Sequence, residues 1–349
     1  MEAPLPAATI RTIPPRRILH IDYRRESVPT GVGQRVLGSG DVRMNEVVLC
    51  MHEMKEADWE RLIYQLQSGH CTPFVGAGAS MGVLPSGATL SRKLARQWGY
   101  PGRDSDELHR VTQFGGIKYG DLIHAKELVR DELATGALPD FTDPCEPYGL
   151  LAGFNLPVYV TTNYDDFIAR ALLAAGKRPN TAICPWNAGI AFDEKLFSSE
   201  AGWDPKPETP LVYHLHGALH DPASFVLAEE DYLEFLRNLA AEGLTGNWRM
   251  LPPSIQAALT RRPLLFVGYS LQDWTFRVLF QELSKSVPGI NRRRHVSIQV
   301  APTPTPSGWS IRDLERQLDW YYRGWEISVF WGGTREFCTE LRSRMVSTT

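Results

Sequence analysis

Four short apolar runs along the chain break off at glycine or polar residues. They are Phe74-Val-Gly-Ala-Gly-Ala-Ser80, Val158-Tyr-Val-Thr-Thr-Asn-Tyr-Asp-Asp166, Leu211-Val-Tyr-His-Leu-His-Gly217 and Leu264-Leu-Phe-Val-Gly-Tyr-Ser-Leu-Gln-Asp273. Such runs predict strands of an open parallel sheet, in which the C-terminal strand ends converge on a crevice where ligands bind. Between them the apolar spacing turns helical. Met54, Trp59, Leu62, Ile63 and Leu66 predict a helix within Met51–Ser68, ahead of the glycine strand. Leu90, Leu94 and Trp98, then Leu122, Ile123, Leu128, Val129 and Leu133, predict a helical insertion over about 84–154, a lid between the first and second core strands.

Later in the chain, helices are expected at Asp231–Leu239, Ser254–Leu259 and Ile311–Tyr321, and strands at His295–Val300 and Glu326–Trp331. Pro185–Pro210 reads as one long connection. Strands alternating with helices imply right-handed crossovers, so the expected fold is α/β: a Rossmann-like parallel sheet flanked by helices. Residues 1–50 are rich in Pro, Gly and Arg, with one strand-like stretch at Arg17–Tyr23. They are expected to form an N-terminal arm that packs on a neighbouring copy, or else to be disordered, ahead of one catalytic domain over 51–349.

Composition narrows the function classes. The 349 residues carry 43% hydrophobic and 22% charged residues, ordinary for a globular chain with a sizeable core. A formal charge of −3 argues against a dominant nucleic-acid role, which needs clustered excess Lys and Arg. The five cysteines, Cys50, Cys71, Cys145, Cys184 and Cys338, include no C-x-x-C pair, which fits neither a disulfide framework nor a zinc knuckle. A reducing cytoplasm is the expected compartment. No stretch approaches the roughly 18 apolar residues of a membrane span.

The glycine loop departs from the dinucleotide fingerprint. Met81 stands where the third glycine belongs, and no acidic residue follows about 20 positions on, where Arg96 and Gln97 lie. Hydride transfer is thereby disfavoured. Gly76 and Gly78 still allow close approach to a pyrophosphate, Ser80 can cap the next segment, and a turn serving packing alone is the competing reading. Asn163 and Asp165 stand where a strand gives way to a helix, and Asp166 reads as that helix's cap. Period-two alternation puts His214 and His216 on one face, and only His216 sits at the strand end, where an imidazole suits general-base work. Gly268-Tyr-Ser270 resembles a second phosphate or ribose turn. It is half of a nucleophile elbow, and Gln272 in place of the second glycine argues against a serine hydrolase. Asp273 reads as a cap or a salt-bridge partner of Arg277.

In this order, Gly76-Ala-Gly-Ala-Ser80, Thr161-Thr-Asn-Tyr-Asp165, His214-Leu-His-Gly217 and Gly268-Tyr-Ser270 resemble the sirtuin (silent information regulator) superfamily in its divergent bacterial branch, over about residues 55–345. The resemblance implies that Gly76, Gly78 and Ser80, with Ala77 and Thr162 beside them, hold cofactor phosphates. It implies that Asn163 and Asp165 flank the nicotinamide ribose, that His216 is the catalytic base, and that Gly268 and Ser270 line the adenosine side. Deacylating sirtuins carry a four-cysteine zinc module after the histidine. Here only Cys338 follows His216, so no zinc ribbon and no metal site is expected.

Zinc-less members resemble NAD hydrolases of anti-phage defence. The expectation is therefore an NAD glycohydrolase with NAD as substrate, releasing nicotinamide and ADP-ribose and held in check until triggered. Its expected partners are copies of itself; a separate sensor, such as a ring-shaped ATPase encoded beside it, leaves no mark in this sequence. The alternatives are an NAD-dependent protein deacylase without zinc, a non-catalytic sensor of NAD or ADP-ribose, and a nuclease built on Asp165, Asp166, Asp221 and Asp273.

Overall fold

Every central strand is apolar on both sides, and the chain buries both. The computed structural model describes residues 54–191, 204–245, 250–271, 293–300 and 310–347, with Leu196, Val278 and Phe280 as isolated positions. Seven parallel strands form one sheet: β1 (Thr72–Val75), β2 (Val158–Thr161), β3 (Asn180–Ile183), β4 (Leu211–His214), β5 (Leu264–Val267), β6 (His295–Gln299) and β7 (Ile327–Trp331). Their order is β3-β4-β2-β1-β5-β6-β7, in agreement with the Rossmann-like α/β reading. The register aligns Phe74 with Val160 and Phe266, and Val160 with Tyr213, so these four side chains line one face. Val75, Tyr159, Val212, Leu265 and Val267 line the other.

The helices divide accordingly. On the Val75 face lie α1 (Glu56–Gln67), α5 (Pro147–Ala152), α6 (Phe167–Ala174) and α10 (Thr334–Ser347). Trp59 of α1 stacks on Phe337 of α10 at 5.5 Å and meets Phe330 of β7 edge-on, tying the first helix to the last strand and helix. On the Phe74 face lie α7 (Glu229–Thr245), α8 (Pro253–Arg261) and α9 (Ile311–Arg323). After β1 the chain moves to β2 on one side, and after β5 to β6 on the other. The C-terminal ends of β1 and β5 therefore part, and a crevice opens between their loops.

The expected insertion is present as α2 (Gly87–Trp98), α3 (Leu108–Tyr119), α4 (Leu122–Ala134) and α5. Ser86 caps α2 by accepting from the Thr89 amide at 3.2 Å, and Asp121 caps α4 through the His124 amide at 3.0 Å. The first three helices share a small core of their own: Leu90, Leu94 and Trp98 from α2, Val111 from α3, Ala125 and Val129 from α4. Phe225 and Leu227, from the loop after β4, complete it.

Two expectations need correction, and one strand is unexpected. Ser80 does not cap the segment after it; Ser86 does, because the Ser80 hydroxyl is drawn inward to Tyr148. Asp166 does not cap α6: Asp165 accepts from the Phe167 amide at 3.1 Å, while the Asp166 carboxylate turns outward to Arg170. Strand β3 lies inside a stretch with no apolar run, because an edge strand half open to solvent has no need of one. The residue 1–50 arm, Asp273 and, Leu196 aside, residues 192–203 of the 185–210 connection lie outside the described residues.

Candidate active site

A cavity of 440 Å³ occupies the crevice, within the roughly 300–1,000 Å³ typical of small-molecule sites. Its floor is the pair of turns that follow β1 and β5. Gly268 has a φ of +66°, and a Cβ there would lie 2.0 Å from the Ala79 nitrogen and 2.4 Å from the Gly78 carbonyl carbon. A Cβ on Gly78 would in turn stand 2.8 Å from the Gly268 Cα. Glycine thus packs on glycine, and the Gly78 amide donates to the Gly268 carbonyl at 2.8 Å. That amide is spent on the fold and is not offered to a phosphate. Among the loop's amides, that of Ala77 donates to no described residue.

One wall of the cavity is polar. It contains Thr162, Asn163 and Asp165 after β2, Ser80 from the 3-10 turn Ala77–Ser80, and His216 after β4. Strand β4 ends at His214, so the expected strand-end position of His216 is in fact a turn, with Leu215 continuing the ladder through its amide to the Thr161 carbonyl at 2.8 Å. Gly217 makes that turn at φ +97°, where a Cβ would lie 2.3 Å from the Ser224 carbonyl oxygen. His214 does not border the cavity, its Nδ1 lying 3.2 Å from the Asn163 carbonyl oxygen. An apolar wall comes from the insertion and the loop after β4: Leu84, Leu90, Leu108, Leu133, Leu219 and Leu227.

Burial sets the protonation states. The Asp165 carboxyl is pushed up to about 6, chiefly because it is desolvated, although the Phe167 amide and the Ser80 hydroxyl stabilise its charged form. Desolvation lowers His216 to about 3 and His214 to about 4, so both imidazoles are neutral at pH 7. His216 is held edge-on to the rings of Tyr232 and Phe235, at 5.8 and 5.2 Å.

Nine of the ten sequence-predicted positions border this cavity: Ala77, Gly78, Ser80, Thr162, Asn163, Asp165, His216, Gly268 and Ser270. Gly76 does not. It is packed against Tyr269, and its carbonyl accepts from the Asn163 Nδ2 at 3.2 Å. Sequence reasoning missed Tyr148, whose hydroxyl lies 2.6 Å from the Ser80 Oγ and 3.0 Å from the Asn163 Nδ2. It also missed His109 and Tyr232 at the cavity's edge. A lone aromatic or histidine on a helix reads as core or surface, so these positions carried no signal.

Among the described residues no group of three His, Cys, Asp or Glu side chains comes together as a metal site. Of the aspartates grouped as a nuclease alternative, Asp165 borders the cavity and Asp166 pairs with Arg170, while Asp273 lies outside the described residues.

A family model described as a SIR2-like domain matches residues 157–329. Similar curated proteins include the NAD(+) hydrolase ThsA of Enterococcus faecium, 22% identical over 240 residues, covering 68% of this chain and 45% of that protein. The NAD(+) hydrolase ThsA of Bacillus cereus is 24% identical over 260 residues, covering 73% and 47% respectively. That of Cytobacillus dafuensis is 28% identical over 130 residues, covering 37% and 22%. The chain spans about half the length of the first two relatives.

Proposed function

We propose, for a chain that carries a SIR2-like domain and belongs to the sirtuin-like family, that it is an NAD glycohydrolase releasing nicotinamide and ADP-ribose. The observation that carries this reading is the convergence of Asn163, Asp165 and His216 on one cavity floored by the Gly78 and Gly268 turns. Departure of nicotinamide leaves an oxocarbenium-like C1′, the charge pattern of glycoside hydrolysis. An Asp165 carboxylate beside that carbon would stabilise the charge or hold the ribose hydroxyls. Asn163 would orient the attacking water or the ribose. His216, neutral at pH 7, would offer its lone pair to a ribose hydroxyl or to the water and take up the proton as the bond forms.

The apolar wall would exclude bulk water from the reacting carbon. Helices of the insertion would act as the lid over it. In the cell the reaction would deplete NAD as an anti-phage response, regulated by self-assembly or by a partner.

The test is nicotinamide release from NAD over a protein concentration series, with Asn163→Ala and His216→Ala in parallel. We expect turnover in the wild type, a loss of about 100-fold or more in each variant, and a steep rise with protein concentration. NAD bound without turnover at any concentration would overturn activation by self-assembly and leave a partner-triggered hydrolase or a non-catalytic sensor. A second expectation follows from Asp165: the kcat/KM profile should fall on the acid side with a midpoint near 6, as the carboxylate is protonated.

A further inference from the structure

Hydrogen-bond bookkeeping around Asn163 leaves one self-consistent arrangement. The Asn163 carboxamide nitrogen faces two oxygens at short range, the Gly76 carbonyl at 3.2 Å and the Tyr148 hydroxyl at 3.0 Å, with the Ser80 Oγ further off at 3.5 Å. A flipped amide would set Oδ1 against the Gly76 carbonyl, acceptor against acceptor, so the assignment is forced. Either hydroxyl could donate across the 2.6 Å contact between Tyr148 and Ser80. The Asp165 carboxylate, its Oδ2 3.3 Å from the Ser80 Oγ, is the acceptor for the Ser80 proton, so the Tyr148 proton goes to the Ser80 Oγ. The chain has a single direction: Asn163 to Tyr148 to Ser80 to Asp165. With both amide protons engaged behind it, the Asn163 Oδ1 is the atom left for the cavity.

We propose that Tyr148 is a positioning residue: its hydroxyl fixes which end of the Asn163 carboxamide meets the ligand and joins Asn163 to Asp165 in one directional network. Its own placement is rigid. Tyr148 is 2% exposed, and its ring stands edge-on to Phe167 at 5.7 Å. Buried Glu146 fixes the start of α5 by accepting from the Tyr148 amide at 3.0 Å and the Gly149 amide at 2.5 Å. The phenol's ionisation is pushed well above its ordinary range by burial, so the hydroxyl keeps its proton at any physiological pH. The inference rests on the hydrolase reading only for its catalytic consequence.

Tyr148→Phe in the full chain removes the acceptor for one Asn163 proton and leaves the ring in place. We expect kcat for nicotinamide release to fall by about 10- to 100-fold with KM for NAD within about threefold. In protein labelled with 15N-asparagine, the Asn163 side-chain amide should exchange with solvent at least about tenfold faster in the variant. Should Tyr148→Phe not fold, Tyr148→3,5-difluorotyrosine keeps ring and hydroxyl while weakening the oxygen as an acceptor, and smaller changes in the same direction are expected. Unchanged amide exchange, or a kcat within about twofold of wild type, overturns the proposal. If the wild type releases no nicotinamide, the reading of a hydrolase active without a partner fails on its own, and the exchange measurement still decides what Tyr148 does.

Discussion

At the scale of single residues, the cavity floor depends on the absence of two Cβ atoms more than on any side chain. Gly268 combines a left-handed φ with backbone contacts that a methyl group would violate, whereas Gly82 has a φ of +89° with open space around it. Gly82→Ala should therefore cost only conformational strain, about 1–2 kcal/mol. Gly268→Ala should cost clearly more and also abolish ligand binding, because the Gly78 turn would have to move. Urea denaturation and NAD binding of the two variants separate strain from displacement. The sequence made Gly76, Gly78 and Gly268 visible as special. It could not say that they serve each other, because that fact needs β1 and β5 to be neighbours.

Among the elements, and within the described residues, the insertion is joined to the sheet domain by one buried ion pair and a fringe of exposed ones. Lys126 on α4 reaches Asp231 in the first turn of α7 at 2.7 Å and the Phe225 carbonyl at 2.9 Å, with both charged side chains almost fully buried. Asp231 also accepts from the Leu227 and Ala228 amides, at 3.0 and 2.7 Å. Lys126→Met would leave that carboxylate desolvated without its cation, and a loss of about 3–5 kcal/mol is expected in chemical denaturation. Arg110, on the exposed face of α3 with Asp104, Glu107 and Glu229 around it, is the contrast: Arg110→Ala should cost no more than about 1 kcal/mol. Helical periodicity announced the insertion correctly. It said nothing of Lys126, since a lysine on a helix reads as solvated until its partner, 105 residues away, is folded against it.

For the whole molecule, three histidines packed in or beside the sheet set the response to acid. His214, His216 and His295 are held at about 4, 3 and 4 by desolvation, against an ordinary value of 6.5. The unfolded chain takes up these protons first. The stability they confer is complete above 6.5 and is lost as pH falls toward 4. Asp165 has the opposite sign: raised from 3.8 to about 6, it favours folding at low pH and loses that contribution as pH rises from about 4 to 6. Glu146, raised by the same desolvation, sides with Asp165; the three histidines outweigh the two carboxyls, so stability should fall between pH 6.5 and 4. His295 is the clearest probe, since its Nδ1 accepts from the Leu264 amide at 2.9 Å. His295→Asn retains an acceptor without a titration, and the pH slope of unfolding free energy should become shallower by about 1.4 kcal/mol per pH unit.

The order of strands has a consequence for timing during synthesis. β1 is flanked by β2 and by β5, and the Thr72 hydroxyl donates to the Ala258 carbonyl 186 residues further along the chain. At translation rates of about 5–20 residues per second, the glycine loop waits roughly 10–40 s on the ribosome for the strand that shapes it. Until β5 emerges there is no Gly268 carbonyl for Gly78 and no floor to the cavity. Nascent chains and prematurely terminated fragments that stop short of β5 would carry every residue of the polar wall and still lack a site. If the chain hydrolyses NAD as proposed, a cell that makes it would be spared the activity of its unfinished copies.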